Sequence, residues 1–384
     1  MGIDIRGITQ DMYACLQCGY CTSICPIYEQ LGWESASPRG KIFYLKQLTQ
    51  RNLLDLILRR KIEVTEEFIT RMFQCTGCGA CEEVCHVNIK LHEFWKKVKE
   101  WLFEEGLISI EAHKKVHERI HEFKNPFAEP PENRGKWLPN DIKLSDKPEV
   151  VFFTGCTEAY RKQEMAVTTA RLLQKIGVPF TILGPDEWCC GSICINTGQI
   201  DYIKEFADHN VNEIKKTGAK VLVAACAGCY NTIKNEYPKI VDDMPFELYH
   251  VSEFLEKLIE DGRMEFTKEI DKTVTFHDSC HLGRGAGVFD APRKVIKSIP
   301  GIKFEEMVRS REMSRCCGAG CGCVAAFKTI AVALAAERVM EAERTGADLI
   351  ITTCPFCNLN LNNVAKDAGM IPTMDVVQLA YEAI

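Results

Sequence analysis

Residues 187–192 read EWCCGS and residues 314–319 read SRCCGA. Each cysteine pair sits inside a wider pattern. Cys156, the pair Cys189 and Cys190, and the C-x-x-C of Cys226 and Cys229 form one set. Cys280, the pair Cys316 and Cys317, and the C-x-x-C of Cys354 and Cys357 form the other. The gaps inside the first set are 32 and 35 residues and inside the second 35 and 36. In both, the single cysteine ends an expected strand, the pair precedes glycine, and the C-x-x-C follows a strand. Five matched positions at two matched gaps mark an internal repeat.

The sequence around each set alternates in type. EVVFFTGC reads as a strand, AYRKQEMAVTTARLLQKIG as a helix capped by Gly177, and VPFTIL as a strand; a helix through DYIKEFADHNVNEIKKTG leads to the strand AKVLVAAC. The same order returns with KTVTFHDSC, a helix near 290–298, IKFEEMV, a helix near 325–345 and ADLIITTC. Strands alternating with helices imply two α/β modules, residues 150–262 and 263–384.

Upstream the sulfur is spaced differently. CLQCGYCTSICP carries Cys15, Cys18, Cys21 and Cys25, and CTGCGACEEVCH carries Cys75, Cys78, Cys81 and Cys85. The run C-x2-C-x2-C-x3-C suits a [4Fe–4S] cubane, because three thiolates on a tight loop reach three irons and the fourth projects toward the other cluster. By that logic Cys15, Cys18 and Cys21 join Cys85, while Cys75, Cys78 and Cys81 join Cys25. Pro26 follows the first run as the ferredoxin pattern expects; His86 stands there in the second. Structural zinc also uses C-x-x-C pairs, but two complete four-cysteine runs favour iron–sulfur. RGKIFYLKQLTQRNLLDLILRRK and NIKLHEFWKKVKEWLFEEGL have helical periodicity. A mainly helical ferredoxin-like domain is therefore expected over residues 1–123, so the whole chain is of mixed α+β class. Five prolines in residues 124–149 suggest a linker or an extended strap.

Bulk composition narrows the setting. The chain has 384 residues, a formal net charge of −6 and 21 cysteines. The mild acidity gives no support for nucleic-acid binding, and the odd cysteine count fits a disulfide scaffold poorly. Neither a secretory signal nor an apolar span of bilayer length is evident. A cytoplasmic protein is expected, where clustered thiols more often bind metal than one another.

The double motif C-x(31–39)-C-C-x(35–36)-C-x-x-C, joined to the two four-cysteine runs, resembles the D-type heterodisulfide reductase family. That resemblance covers nearly the whole chain. It implies two cubane [4Fe–4S] clusters and two non-cubane [4Fe–4S] clusters. One non-cubane cluster would be held by Cys156, Cys189, Cys190, Cys226 and Cys229, the other by Cys280, Cys316, Cys317, Cys354 and Cys357. It further implies an enzyme that reduces the mixed disulfide of coenzyme M and coenzyme B between the non-cubane clusters. Electrons would come from a partner, either a membrane cytochrome b or a flavin or formate-dehydrogenase module, and any membrane attachment would run through that partner. A different reading from the same resemblance is a non-catalytic electron-transfer component of a flavin-linked dehydrogenase. A third is a membrane-associated relative acting on another disulfide or a trisulfide.

Weaker signals surround the second set. His277 and His281 flank Cys280 and are candidate proton donors to product thiolates, since histidine titrates near neutrality. Both coenzymes are anionic, and among Arg161, Lys162, Arg284, Arg309, Arg311 and Arg315 the candidates for holding them are Arg284 and Arg315. Gly283, Gly285 and Gly287 do not have nucleotide-loop spacing. Cys194, Cys321 and Cys323 are left unassigned, the last two expected near the second set. NLLDLILRRK could offer an amphipathic face, although such a helix more often packs on its own domain.

Overall fold

Each four-cysteine run folds as the same turn. Gly19 and Gly79 follow the second cysteine of their runs and adopt φ of 90° and 76°, which glycine reaches without strain. They cap the one-turn helices Tyr20–Ser23 and Ala80–Glu83, which carry the third cysteines. Pro26 opens the helix Pro26–Leu31, leaving Cys25 at its N-cap, because a missing N–H is harmless in the first helical turn. These turns pack under three amphipathic helices, Pro38–Thr49, Glu66–Phe73 and Leu91–Glu104. Ile42, Leu45, Met72, Phe73, Phe94, Val98 and Leu102 line up at helical spacing and share one core.

The computed structural model describes residues 7–49 and 63–384, and NLLDLILRRK lies outside them. Two compact units result. The first comprises the described residues up to Lys114 with Ile193–Ile200 and Gly318–Leu334; the second comprises Lys115–Ser192, Asp201–Cys317 and Ala335–Ile384.

The second unit contains two four-stranded parallel sheets. Strands β1 (Val150–Phe153), β2 (Phe180–Thr181), β3 (Val221–Ala224) and β4 (Glu247–His250) lie in the order β2-β1-β3-β4. Strands β5 (Lys272–Phe276), β6 (Ile302–Phe304), β7 (Leu349–Thr352) and β8 (Thr373–Asp375) repeat that order as β6-β5-β7-β8. The registers pair Val150 with Val221 and Val274 with Leu349. Parallel strands buried on both faces read as continuous apolar runs, as VVFF and LIIT do. One hydrophobic core, including Phe152, Val223, Phe276, Ile351, Phe254 and Val377, runs through both modules. The chain is thus of mixed class, a mainly helical unit and a pair of α/β modules.

The compact units divide the chain at other points than the expected domains. The first unit's N-terminal stretch ends at Lys114, inside the helix Glu111–Phe123, rather than at residue 123. Residues 124–149 are not a free spacer. Arg134, Trp137 and Ile142 are buried in that segment, and the Trp137 ring meets Phe152 of β1 edge-on at 6.1 Å between centroids. Proline-rich sequence here fixes an extended strap rather than a flexible tether. Trp137→Ala is expected to lower stability by about 3–5 kcal/mol in urea unfolding, as for a large core residue; a tether would tolerate it.

Candidate metal centres

None of the 21 cysteines is in a disulfide. In the first unit nine of them surround two cavities. Cys15, Cys18, Cys21 and Cys85 line one, with Gly19, Arg39 and Ile42. Cys25, Cys75, Cys78 and Cys81 line the other, with Lys41, Trp95, Lys96, Lys99 and Cys321. The structure therefore brings together the two crossed foursomes expected from the spacing. Gly77 N–H points at Cys75 Sγ at 3.4 Å, and a Cβ on Gly77 would collide with Cys321 Sγ. Burial pushes the Cys25 thiol up to about 11, and burial followed by the nearby Cys15 charge does the same to Cys21. Without a cation these thiols stay protonated, so loading metal must release protons.

In the second unit the strand ends gather the sulfur. Cys156 follows β1 and Cys280 follows β5. Cys226 and Cys354 follow β3 and β7 and serve as N-caps of the helices Ala227–Asn235 and Pro355–Ala368. In both sheets the connections from the two central strands run in opposite directions, and the crevice beyond their carboxyl ends is where such folds bind ligands. Ten thiols meet there in one row. Cys156 donates to Cys189, and Cys190 accepts from Cys189 and Cys229. Cys226 lies beside Cys229 and donates to Cys354, which also accepts from Cys357. Cys357 and Cys317 Sγ are 3.2 Å apart, and Cys280 donates to Cys316. Hydrogen bonds from neighbouring thiols hold Cys190 and Cys354 well below the usual thiol range, while Cys226, Cys229 and Cys357 are pushed up. The two five-cysteine sets touch at Cys226 and Cys354.

Comparison with known proteins assigns these regions. A family model described as a cysteine-rich domain matches residues 150–234 and 274–362, and one described as a 4Fe-4S dicluster domain matches residues 11–89. The D-type component of the dihydromethanophenazine:CoB–CoM heterodisulfide reductase of Methanosarcina mazei is 40% identical across 100% of this chain and 97% of its own length. The chain belongs to the D-type heterodisulfide reductase family. The B-type component of the fumarate reductase (CoM/CoB) of Methanothermobacter marburgensis is 30% identical over 97% of this chain and 72% of its own. A crystal structure of a hypothetical protein from Helicobacter pylori shares the fold, with a TM-score of 0.57 over 98% of this chain and 72% of that one at 12% identity.

This family member is an iron–sulfur protein of the oxidoreductase class, and its residues fit such clusters. The thiols are unbridged and convergent, and glycine admits close approach where it is needed. Lys41 and Lys99 are buried beside Cys25, Cys75, Cys78 and Cys81, with no carboxylate partner among the described residues. Buried ammonium groups require an anion, and a four-thiolate cluster is one.

The remaining candidates fall into distinct environments. His277 is buried, and its Nδ1 accepts from Arg338 Nε at 3.1 Å, so its proton resides on Nε2. Burial lowers its pKa to about 3. A ring nitrogen lies within 4.8 Å of Cys317 and Cys357 Sγ. His281 is half-buried, its Nδ1 3.5 Å from where a Gly228 Cβ would lie, between Cys226 and Cys229. Arg284 donates to the carbonyls of Glu312 and Ser314 at 2.8 Å each, bracing the loop that leads to Cys316. Arg315 is ion-paired with Glu337. Both arginines thus already hold protein partners.

Several residues escaped the sequence reading. Arg134, 2% exposed in the strap, places Nη2 3.5 Å from Cys156 Sγ and 2.6 Å from Glu187 Oε1. Glu187 also accepts the N–H groups of Thr154 and Gly155 at 2.8 Å each, pinning the turn that presents Cys156. Glu158 is fully buried, and burial holds its carboxyl well above the usual range. Cys321, strained at φ 50°, lines the cavity of Cys75 and Cys78. A signal existed: Cys194 and Cys321 each stand four residues after the second cysteine of a pair. Glu187→Gln, which leaves the Arg134 charge uncompensated, is expected to lower stability by about 3–5 kcal/mol in urea unfolding.

Proposed function

We propose that this chain reduces the heterodisulfide of coenzyme M and coenzyme B with electrons delivered by a partner protein. The observation that carries the reading is the row of ten thiols, two complete five-cysteine sets meeting at Cys226 and Cys354. The ligand sets are those of the crossed foursomes for two cubanes and the two fivefold sets for two non-cubane clusters. When bound, the clusters supply one-electron storage and iron sites for sulfur. The reaction balances as one disulfide, two electrons and two protons giving two thiols.

The protein's own groups do the rest. Strand ends β1, β3, β5 and β7 fix the thiolates, and the buried pair of Arg134 and Glu187 holds the turn of Cys156. His281, beside the meeting point of the two sets, is placed to hand a proton to a departing sulfur. His277 keeps its Nε2 proton and serves as a neutral hydrogen-bond donor toward the sulfur of Cys317 and Cys357. Arg284 and Arg315 act on substrate anions only through the loop they brace. Cys18 alone among the cysteines is exposed, with Leu16 and Tyr20 exposed beside it; a partner's electron arrives there. No helix among the described residues is long and apolar enough to cross a membrane, so attachment to one would run through the partner.

A second reading is an electron-transfer component without its own disulfide substrate. It is favoured by the likeness to an EtfAB:quinone oxidoreductase of Syntrophomonas wolfei, 26% identical over 97% of this chain and 58% of its own length. EPR of the anaerobic, oxidised protein separates the two. About sixteen irons per chain and a new paramagnetic signal on adding the coenzyme M thiol are expected. Sixteen irons with no response to thiol or heterodisulfide would overturn disulfide reduction and favour the second reading.

A further inference from the structure

The two cubane cavities differ in charge. The cavity of Cys25, Cys75, Cys78 and Cys81 is lined by three lysines whose exposures are 3% for Lys41, 6% for Lys96 and 2% for Lys99. Lys96 has a carboxylate, Glu93, at 2.8 Å. Lys99 Nζ donates to the neutral carbonyl of Asn196 at 2.9 Å. Lys41 Nζ stands 5.8 Å from the Trp95 ring centroid, and its charge favours the Cys25 thiolate. Among the described residues the other cavity is lined by His86 and by one guanidinium, Arg39, which is bound to Glu34 through two hydrogen bonds of 2.8 and 3.0 Å. Lys46 bonds the Cys15 carbonyl at 3.0 Å without lining that cavity.

A cubane with four thiolates carries two negative charges when oxidised and three when reduced. Uncompensated ammonium groups in a dry wall therefore stabilise the reduced form more than the oxidised one, and charge is one of the levers that set cluster potential. Resting on the cluster reading above, we propose that Lys41 and Lys99 raise the reduction potential of the cubane at Cys25, Cys75, Cys78 and Cys81 above that of its neighbour. Electrons then collect there. The step moves one electron from the cubane at Cys15, Cys18, Cys21 and Cys85, which is oxidised, to the second, which is reduced; no bond breaks and no proton moves.

The test is an EPR-monitored redox titration of the cluster-loaded protein, with Lys99→Met, Lys41→Met and Lys99→Arg beside the wild type. A Cys18→Ser variant identifies the signal of the first cubane. Each Met variant is expected to lower the midpoint of the second cubane alone, changing its reduced-to-oxidised ratio at fixed potential by roughly tenfold or more, while Lys99→Arg stays near wild type. Loss of about four irons in Lys99→Met but not in Lys99→Arg would also support a charge role. An unchanged midpoint with full iron overturns the proposal, as does an equal fall in both cubanes. Iron loss or misfolding shared by Lys99→Met and Lys99→Arg overturns it too, because shape rather than charge would then be at stake. A wild-type protein without two cubane signals would instead sink the cluster reading itself.

Discussion

Sulfur buried without water is the constraint to which the rest of this molecule answers. A thiol in a dry interior resists ionisation, yet metal binds the thiolate. Ten such groups in one row can be ionised together only against concentrated positive charge. The fold supplies part of it, through Arg134 beside Cys156 and the arginine at position 284 beside Cys280. Most must come from iron. The fold's own task is geometric: to end strands, turn backbone at glycine and start helices so that the sulfur atoms converge.

Repetition solves that task economically. The two sheets have the same strand order, and each places its single cysteine and its C-x-x-C beyond neighbouring central strands. One copy would present five thiols on an open face. Two copies joined through a common core bring Cys226 and Cys354 into contact and enclose the row.

Much of this was legible because ligand spacing is written locally. Crossed foursomes follow from the reach of a three-residue turn, and the long helices follow from apolar periodicity. Strands β4 and β8 went unread because ELYH and TMD are too short and too polar to announce a strand. The buried charges were hidden for a deeper reason. Lys41 and Lys99 occupy helices whose pattern also accommodates solvated lysine, and what makes them interior is an anion that the sequence does not contain. Arg134 is a lone cation among prolines, and its partner Glu187 is distant in the chain. His277 looked like an ordinary titrating histidine, and its enclosure with Arg338 is not written in the sequence.

The first unit is discontinuous, and this has a consequence for the order of events during synthesis. Its cysteine runs emerge early, but Asn196, which holds Lys99, and Cys321, which lines the second cavity, belong to Ile193–Ile200 and Gly318–Leu334. At about 5–20 residues per second, that cavity stays incomplete for on the order of ten seconds or more after Cys81 has left the ribosome. The site at Cys25, Cys75, Cys78 and Cys81 is therefore finished only when most of the polypeptide exists, and a gene cut at the proline-rich strap would yield an N-terminal fragment unable to close it.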